Sequence, residues 1–385
     1  MLVAVSRKRR ALHERTIAHS RAYPGDIYRC VPILPQIPPV RAGGVVSCCL
    51  LEGRFSMSKA SKWKWVVAVL AFCFVASAAS ALELKISHVM SPSETIHKMA
   101  VAFGEDLEKR SNGFFKVNVY PNTEIGNPKE NIEMLRRGAN VVVLCDSGFL
   151  ADYVPAYGAM VGPYLFKNWQ EIVKLSNSDW HKGLQAECSK KSIKVLCMDW
   201  LFGRRSVMSD RVITKPADME GMKIRVPPNK TWIDTITAMG GQPTVLPWSE
   251  VYSALSQKVV DGTEAPLSTL YGSKIFEVKK NLSETQHFTA QLGLIMSQKL
   301  FDDLSPENQK ILQDTVNEWS VKTCKAVERD EGEWRQKLID AGVKVNPVDI
   351  DAFAEACKVV YDNPAWPSYA ELRKIIEEST YVIPE

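Results

Sequence analysis

The feature that most constrains the fold is an alternation of short strand patterns and longer helical patterns, which starts at residue 82. Leu82–Ser87, Phe115–Tyr120 and residues 141–144 have the alternating or continuous apolar character of strands. The segments between them repeat apolar residues every three or four positions and stop at glycine, as amphipathic helices do. This succession predicts an α/β fold, with helices packed on a parallel or mixed sheet.

One later helical pattern is too long for a single compact lobe. It opens at Ser305-Pro306-Glu307 and continues to about Asp340, so it predicts a helix that lies across two lobes as a brace. No flexible linker separates the lobes, and the chain is therefore expected to cross between them more than once. The predicted boundaries are approximate: lobe I comprises residues 82–202 plus 291–330, and lobe II comprises residues 203–290 plus 331–385.

Residues 57–81 have the pattern of a secretory signal peptide. Three lysines precede an apolar stretch over residues 65–75, and Ala79-Ser80-Ala81 has the small-x-small form of a cleavage site. The apolar stretch is about half of the ~20 residues that a membrane span needs, so export with cleavage after Ala81 is favoured over a membrane anchor. Residues 1–56 are interpreted as an over-extended gene start, disordered, with Met57 as the true start; a genuine basic leader is the alternative.

The formal net charge of +4 belongs to these first residues. Without residues 1–81 the chain keeps 36 basic and 41 acidic residues, a net charge of about −5. No basic stripe remains, so nucleic acid is not an expected partner.

Five cysteines follow residue 81, without the paired spacing of a zinc or redox site. An oxidising, exported location permits disulfides, and Cys188–Cys197 and Cys324–Cys357 are the candidate pairs. Buried free thiols are the alternative. The chain also lacks the motifs of serine hydrolases, zinc proteases, nucleotide-binding loops and dinucleotide-binding folds. We therefore predict no enzyme activity, no cofactor and no metal site.

Two arginines, Arg205 and Arg225, fall at or just after predicted strand ends. A guanidinium group matches a carboxylate through two parallel hydrogen bonds. Ligands of open α/β sheets bind beyond the carboxyl ends of the strands, where Asp146 and Ser147 also lie. The pattern is compatible with a site for an anionic ligand, with Trp200 as one aromatic that could stack on its apolar part. A solvated surface residue or a structural ion pair is the alternative for either arginine.

Four segments then follow one another in order. Residues 120–126 read YPNTEIG, residues 221–227 read GMKIRVP, residues 247–255 read PWSEVYSAL and residues 259–266 read VVDGTEAP. Together they resemble the corresponding segments of the periplasmic solute-binding proteins of TRAP transporters. The resemblance covers nearly the whole chain after residue 81, and four segments in order are far more specific than any one of them.

The resemblance implies a two-lobed α/β fold of the periplasmic-binding-protein type, with crossing strands and a long bracing helix. It also implies a periplasmic receptor, expected to be a monomer, that closes over an organic acid. The receptor would deliver that acid to a membrane permease driven by an ion gradient. A receptor of an ATP-driven importer and a ligand sensor for a signalling partner remain the alternatives.

The resemblance also assigns roles to individual residues. Arg225 is similar to the carboxylate anchor of the family, and Arg205 matches an assisting arginine, with Arg204 as its competitor. Asp146 occupies a place where some members contact ligand hydroxyls, so a hydroxylated acid such as a sugar acid is favoured. The full predicted site is Arg225, Arg205, Asp146, Trp248, Trp200, Glu264 and Ser147.

One position departs from the family pattern. Many members have asparagine before the proline of the last segment, whereas this sequence has Ala265. The change removes one hydrogen-bond donor and enlarges the pocket. The identity of the ligand therefore cannot be carried over from the family.

Overall fold

The computed structural model describes residues 81–384, so the predicted signal peptide and the residues before it lie outside the described part, apart from Ala81. The strands are β1 (Leu82–Ser87), β2 (Phe115–Tyr120), β3 (Val141–Asp146), β4 (Ile193–Ser209), β5 (Lys223–Val226), β6 (Gln242–Val245), β7 (Gly262–Pro266), β8 (Asn281–Ser297) and β9 (Lys344–Asn346).

The α-helices are α1 (Thr95–Arg110), α2 (Pro128–Arg136), α3 (Trp169–Ser176), α4 (Asp179–Ser189), α5 (Lys230–Ala238), α6 (Val251–Ser256), α7 (Leu267–Gly272), α8 (Gln298–Asp302), α9 (Pro306–Asp340), α10 (Ile350–Cys357) and α11 (Tyr369–Glu377). Short 3₁₀ helices cover Ser147–Asp152, Pro155–Val161, Pro216–Met219, Trp248–Glu250, Ile275–Glu277 and Lys358–Asp362.

All nine strands belong to one mixed sheet, in the order β2-β1-β3-β8-β4-β7-β5-β6, with β9 beside β8. The strands β1, β2 and β3 are parallel to one another, as are β5, β6 and β7. Between these two groups, β4 and β8 run antiparallel to each other over 17 residues each. The alternation of strands and helices in the sequence is what makes the outer groups parallel.

The buried apolar side chains form three clusters. The first is the core of the first lobe, and the second and third lie in the second lobe. The first core contains residues of β1 to β3 and of α1 to α4; the second core surrounds α5, and the third surrounds α6 and α7. Strand β4 contributes Met198 to the first core, Val207 to the second and Met208 to the third. Strand β8 likewise contributes to all three. The two long strands therefore cross between the lobes, as predicted.

The bracing helix is present as a single 35-residue helix, α9. Ser305 accepts a hydrogen bond from the backbone N–H of Asn308, and Pro306 occupies the first turn, where its missing N–H is not needed. The helix buries Leu312 and Val316 in the first core and Trp334 in the third. Because one rigid element is anchored in both lobes, the prediction of a brace is confirmed.

The last helix, α11, differs from the predicted lobe boundary, which assigned residues 331–385 to the second lobe. Leu372 and Ile376 pack into the first core. Arg373 pairs with Glu171 of α3, with N–O distances of 2.6 and 2.9 Å. The chain therefore returns to the first lobe at its end, a contact that depends on residues about 200 positions apart.

Three local features depend on the details of the backbone. Residues 169–189 form two helices, α3 and α4, because the first ends at Ser176 and Ser178 caps the second through the backbone N–H of His181. Ser249 caps no helix and lies in a 3₁₀ turn before α6. Strand β4 continues beyond residue 198 with bulges, one of them at Gly203, where φ is +129°.

All five described cysteines are free and buried, so neither candidate disulfide is formed. Burial raises the pKa of the Cys188 and Cys357 thiols to about 12, which suppresses the reactive thiolate. We expect residues 82–385 to react with Ellman's reagent at less than one thiol per chain in buffer and at five in urea. Fewer than five in urea without reductant would show that a disulfide forms.

Candidate anion-binding site

A cavity of about 230 Å³ opens between the two lobes, at the carboxyl ends of strands from both sides of the sheet. Its position is the one that open α/β sheets use for ligands. The first lobe lines it with Val89, Thr123, Asn127, Pro128, Lys129, Glu130, Asp146 and Phe149. The crossing strand β4 and the second lobe line it with Phe202, Arg205, Arg225, Pro227, Pro228, Pro247, Trp248, Ser249, Ala265 and Thr269.

Arg225, on β5, is the most unusual residue of the cavity. Its side chain is buried, and its Nε donates to the carbonyl oxygen of Leu246 at 2.9 Å. The guanidinium carbon lies 5.0 Å from the centroid of the Trp248 ring, within cation–π range. Among residues 81–384, no carboxylate makes a salt bridge with it.

Burial lowers the pKa of Arg225 to about 9, while Glu264 opposes that shift from a distance. The group is still a cation at neutral pH. A buried charge is unfavourable unless it is paired, and this guanidinium has no carboxylate partner among the described residues.

Arg205, on β4, has its counter-ion within the protein. Its Nε and Nη2 donate to the two carboxylate oxygens of Glu264 at 2.6 and 2.7 Å, and both side chains are buried. Burial alone would raise the pKa of Glu264, but the pairing with Arg205 holds it at about 2. Glu264 also contacts Nε2 of His287 at 3.3 Å. Arg205 therefore reaches the cavity as part of a fixed ion pair.

Asp146 ends strand β3 and lines the cavity. Its Oδ1 atom is buried and has no hydrogen-bond partner in the described structure. Burial raises the pKa of this carboxyl to about 6, although Arg205 works in the opposite direction. Buried polar atoms are normally paired, so Oδ1 is an exception among the described residues.

The structure brings Arg225, Arg205, Asp146 and Trp248 together at the cavity, and it places three other predicted site residues behind them. Glu264 holds Arg205 from below the cavity surface. The Oγ of Ser147 accepts a hydrogen bond from Gln291 Nε2 at 3.2 Å and does not line the cavity.

Trp200 lies in the first core, fully buried, with its ring centroid 5.9 Å from that of Phe103. A bulge follows Trp200 in β4, and Phe202 is the aromatic residue of this strand that reaches the cavity. Arg204 points the other way, toward Glu331 of α9 at 3.6 Å, so Arg205 is the arginine of this pair that faces the cavity.

Several residues that line the cavity were not predicted from the sequence. Asn127 caps α2 in a capping box with Glu130, a signal that was visible in the sequence and could have located this edge of the cavity. Phe149 follows Asp146 closely and could have been found with it. Thr269 gave no signal, since only the packing of α7 brings it to the cavity.

Glu94 positions Thr269 and joins the lobes. This fully buried carboxylate precedes α1 of the first lobe and accepts hydrogen bonds from the Ser91 backbone N–H at 2.7 Å and from Thr269 Oγ1 at 2.6 Å. Burial raises its pKa to about 7 from an ordinary value of 4.5. The folded state thus binds more protons than the unfolded state between these two values.

We therefore expect the free energy of unfolding to fall as pH rises from about 4.5 to about 7. Above about pH 7, the titration of Glu94 should not lower it further. The contribution of Glu94 is at most about 3 kcal/mol, from 1.36 kcal/mol per pKa unit. In urea unfolding, the free energy of unfolding of Glu94→Gln should differ less between pH 5 and pH 8 than that of the wild type does. An equal difference in the two proteins would exclude Glu94 as the titrating group. Asp146, whose pKa is also raised, is present in both proteins and would then be the remaining candidate.

Residues 81–384 contain no group of three or more His, Cys, Asp or Glu side chains placed to hold a metal ion. No helix in this part of the chain is long and apolar enough to cross a membrane.

Two lobes joined by crossing strands, with a buried cation in the cleft between them, define the class of solute-binding receptors. Residues 86–365 match the model of the bacterial extracellular solute-binding protein family 7, and the chain belongs to this family. The predicted resemblance to TRAP solute-binding proteins is thereby confirmed.

Three relatives illustrate the likeness. The chain is 31% identical to the 2,3-diketo-L-gulonate-binding periplasmic protein YiaO of Escherichia coli, over 74% of this chain and 87% of that protein. It superposes with a TM-score of 0.75 on a TRAP protein of Actinobacillus succinogenes solved with L-galactonate, at 32% identity, over 77% of this chain and 100% of the other. A TRAP protein of Desulfovibrio salexigens solved with diglycerolphosphate gives a TM-score of 0.73 at 36% identity, over 77% of this chain and 97% of the other.

Proposed function

We propose that this protein is a periplasmic receptor that captures a hydroxylated organic acid in the cleft and hands it unchanged to a TRAP membrane permease. The observation that carries the proposal is Arg225, a buried guanidinium without a carboxylate partner among the described residues. The acid would supply that partner. Export through the segment at residues 57–81, cleavage after Ala81 and a monomeric receptor belong to the same proposal.

Binding follows from the electrostatics of the cleft. The carboxylate of the ligand accepts hydrogen bonds from the free nitrogens of Arg225, in the planar geometry that a guanidinium favours. Closure of the lobes expels water, and the ion pair strengthens because the local dielectric constant falls. The ion pair between Arg205 and Glu264 keeps Arg205 in place, so that its outer edge can assist without a change of rotamer.

The hydroxyl groups of the ligand are recognised on the opposite side of the cavity. Asp146 Oδ1 is a free, buried acceptor, and a hydroxyl donor would satisfy it. A plain fatty acid would leave it unpaired. The ligands of two relatives, 2,3-diketo-L-gulonate and L-galactonate, are hydroxylated acids, which supports this chemistry.

A phosphate ester is the second candidate for the anion. Ala265 lines the cavity in place of the amide that would otherwise complete a carboxylate site, and the relative with 36% identity was solved with diglycerolphosphate. A phosphate group is bulkier than a carboxylate and would use the space that the alanine leaves.

A thermal-shift screen of residues 82–385 tests the proposal. The compounds are aldonates, uronates, unsubstituted dicarboxylates, keto acids and glycerol phosphates. A ligand at about 100 times its Kd stabilises the folded state by about 2.7 kcal/mol, so the matching hydroxylated acid should raise Tm by several degrees. A shift with neutral sugars but with no anion would refute the proposal, and a shift only with glycerol phosphates would select the second candidate.

A further inference from the structure

We infer that the cleft contains a second ligand compartment beyond Trp248, which accepts a neutral, hydroxylated extension of the bound acid. The inference rests on the proposed function, because it concerns the part of the ligand farthest from its charged group. It assigns the receptor to acids that carry a second hydroxylated unit, such as a glycosyl group.

The first observation is a second cavity, of about 320 Å³, that adjoins the anion-binding cavity. The two cavities share Val89, Thr123, Trp248 and Ser249 as lining residues. Both lobes therefore contribute to each cavity, and the two cavities lie next to each other. The anion-binding cavity alone, at about 230 Å³, is smaller than the roughly 300–1,000 Å³ of typical small-molecule pockets.

The second observation is the chemistry of the lining. The anion-binding cavity contains Arg205, Arg225 and Asp146, whereas the second cavity has no Asp, Glu, Lys, Arg or His among its lining residues. Ser91, Asn122 and Ser273 give it hydroxyl and amide groups instead. Such groups can donate to and accept from hydroxyls, but they cannot neutralise a charge. The lining thus matches a polyol chain or a sugar ring and disfavours a charged group.

The third observation is the placement of Trp248 between the cavities. One face of its ring lies 5.0 Å from the guanidinium carbon of Arg225, in the anion-binding cavity. Its Nε1 donates to Ser273 Oγ at 3.0 Å, in the second cavity. Trp248 is only partly buried, so its free surface forms a wall shared by both cavities. An acid anchored at Arg225 can pack against this wall while its extension continues toward Ser273.

The test compares matched ligands by isothermal titration calorimetry on residues 82–385. Gluconate is compared with lactobionate, which is gluconate carrying a neutral galactosyl unit. Galacturonate is compared with digalacturonate, whose extension carries a second carboxylate. We expect lactobionate to bind at least about tenfold more tightly than gluconate, and digalacturonate to gain nothing over galacturonate. Equal or weaker binding of lactobionate would overturn the inference, as would a gain with the charged extension.

A pair of variants locates the effect. Ser91 lines only the second cavity, and its hydroxyl contacts only the exposed Ser93 nearby. Ser91→Trp should fill the compartment and remove the preference for lactobionate while leaving the Kd for gluconate within about twofold. Ser91→Ala is the matched control and should keep the preference. A parallel loss for both acids in Ser91→Trp would count against a separate compartment.

The outcomes also separate this inference from the proposed function. If gluconate and galacturonate bind but the neutral extension adds no affinity, only the second compartment is refuted. If none of the four acids binds and the wider screen finds no anionic ligand, the proposed function falls and the inference falls with it. The comparison of the two gluconate ligands on the wild-type chain needs no variant, so a failure of Ser91→Trp to fold does not affect it.

Discussion

Replacement of Arg225 by alanine will weaken ligand binding by roughly 30-fold or more while leaving the unliganded protein close to its original stability. The ligand anion would lose its buried charged partner, and truncation of one member of such a pair costs about 2–5 kcal/mol, or roughly 30-fold to several thousand-fold in Kd. The free protein loses little, because removing a buried cation without a counter-ion relieves a desolvation penalty. That relief offsets the packing lost against Trp248.

The measurement is the ligand-dependent rise in Tm, with calorimetry for the Kd. Arg225→Lys keeps the charge but not the planar fork, so it should bind with intermediate affinity. Arg204→Ala is the matched control, since this neighbouring arginine faces Glu331 on the other side of β4, and its removal should leave Kd unchanged. An undiminished Tm shift in Arg225→Ala would remove Arg225 from the site.

Among single substitutions at the cavity, replacement of Glu264 by alanine should cause the largest fall in the free energy of unfolding. Glu264 accepts two hydrogen bonds from Arg205, at 2.6 and 2.7 Å, in a fully buried setting. Breaking a buried ion pair by removing one partner costs about 3–5 kcal/mol, because the other charge is left without compensation. Arg205 would then lose its paired carboxylate and keep only the weaker attraction of Asp146, while its repulsion of Arg225 remains, so binding should weaken as well.

Urea unfolding measures the loss, and the reciprocal design checks its cause. Replacing both partners, as in Arg205→Met with Glu264→Leu, removes the uncompensated charge, so the double variant should be more stable than Glu264→Ala alone. A double variant that is less stable than Glu264→Ala would show that packing, and not charge, explains the loss. Its ligand affinity should stay low in either case, because Arg205 no longer assists.

The sequence was sufficient to predict the architecture wherever the evidence is local. Strand and helix periodicity gives βαβ units, and the length of the helical pattern after Ser305 gives the brace, because each depends on residues close together in the chain. Arg225 could be predicted for the same reason: it lies at the end of a short strand, inside a recognisable segment. Asp146 follows from the end of a buried strand in the same way.

The rest depends on tertiary contacts. The pairing of Arg205 with Glu264 joins residues 59 positions apart on two strands, so no local pattern could show that this arginine is already neutralised. The alternation along β4 fails as a guide where bulges interrupt it between Cys197 and Trp200 and between Leu201 and Gly203. Trp200 lies in the first core, while Phe202 reaches the cavity. The return of α11 to the first lobe likewise depends on packing between distant segments.

The sheet topology has a consequence for how this receptor can change during evolution. Arg205 and Arg225 lie on strands whose apolar residues also build the cores, so changes to these strands affect both folding and binding. Thr123, Asn127 and Trp248 lie between the strands and the α-helices, at the surface of the cleft. Such loop positions tolerate substitution and insertion better than the elements that they connect. New ligand preferences can therefore arise by mutation at these positions, while the two arginines and the crossing strands β4 and β8 are inherited intact.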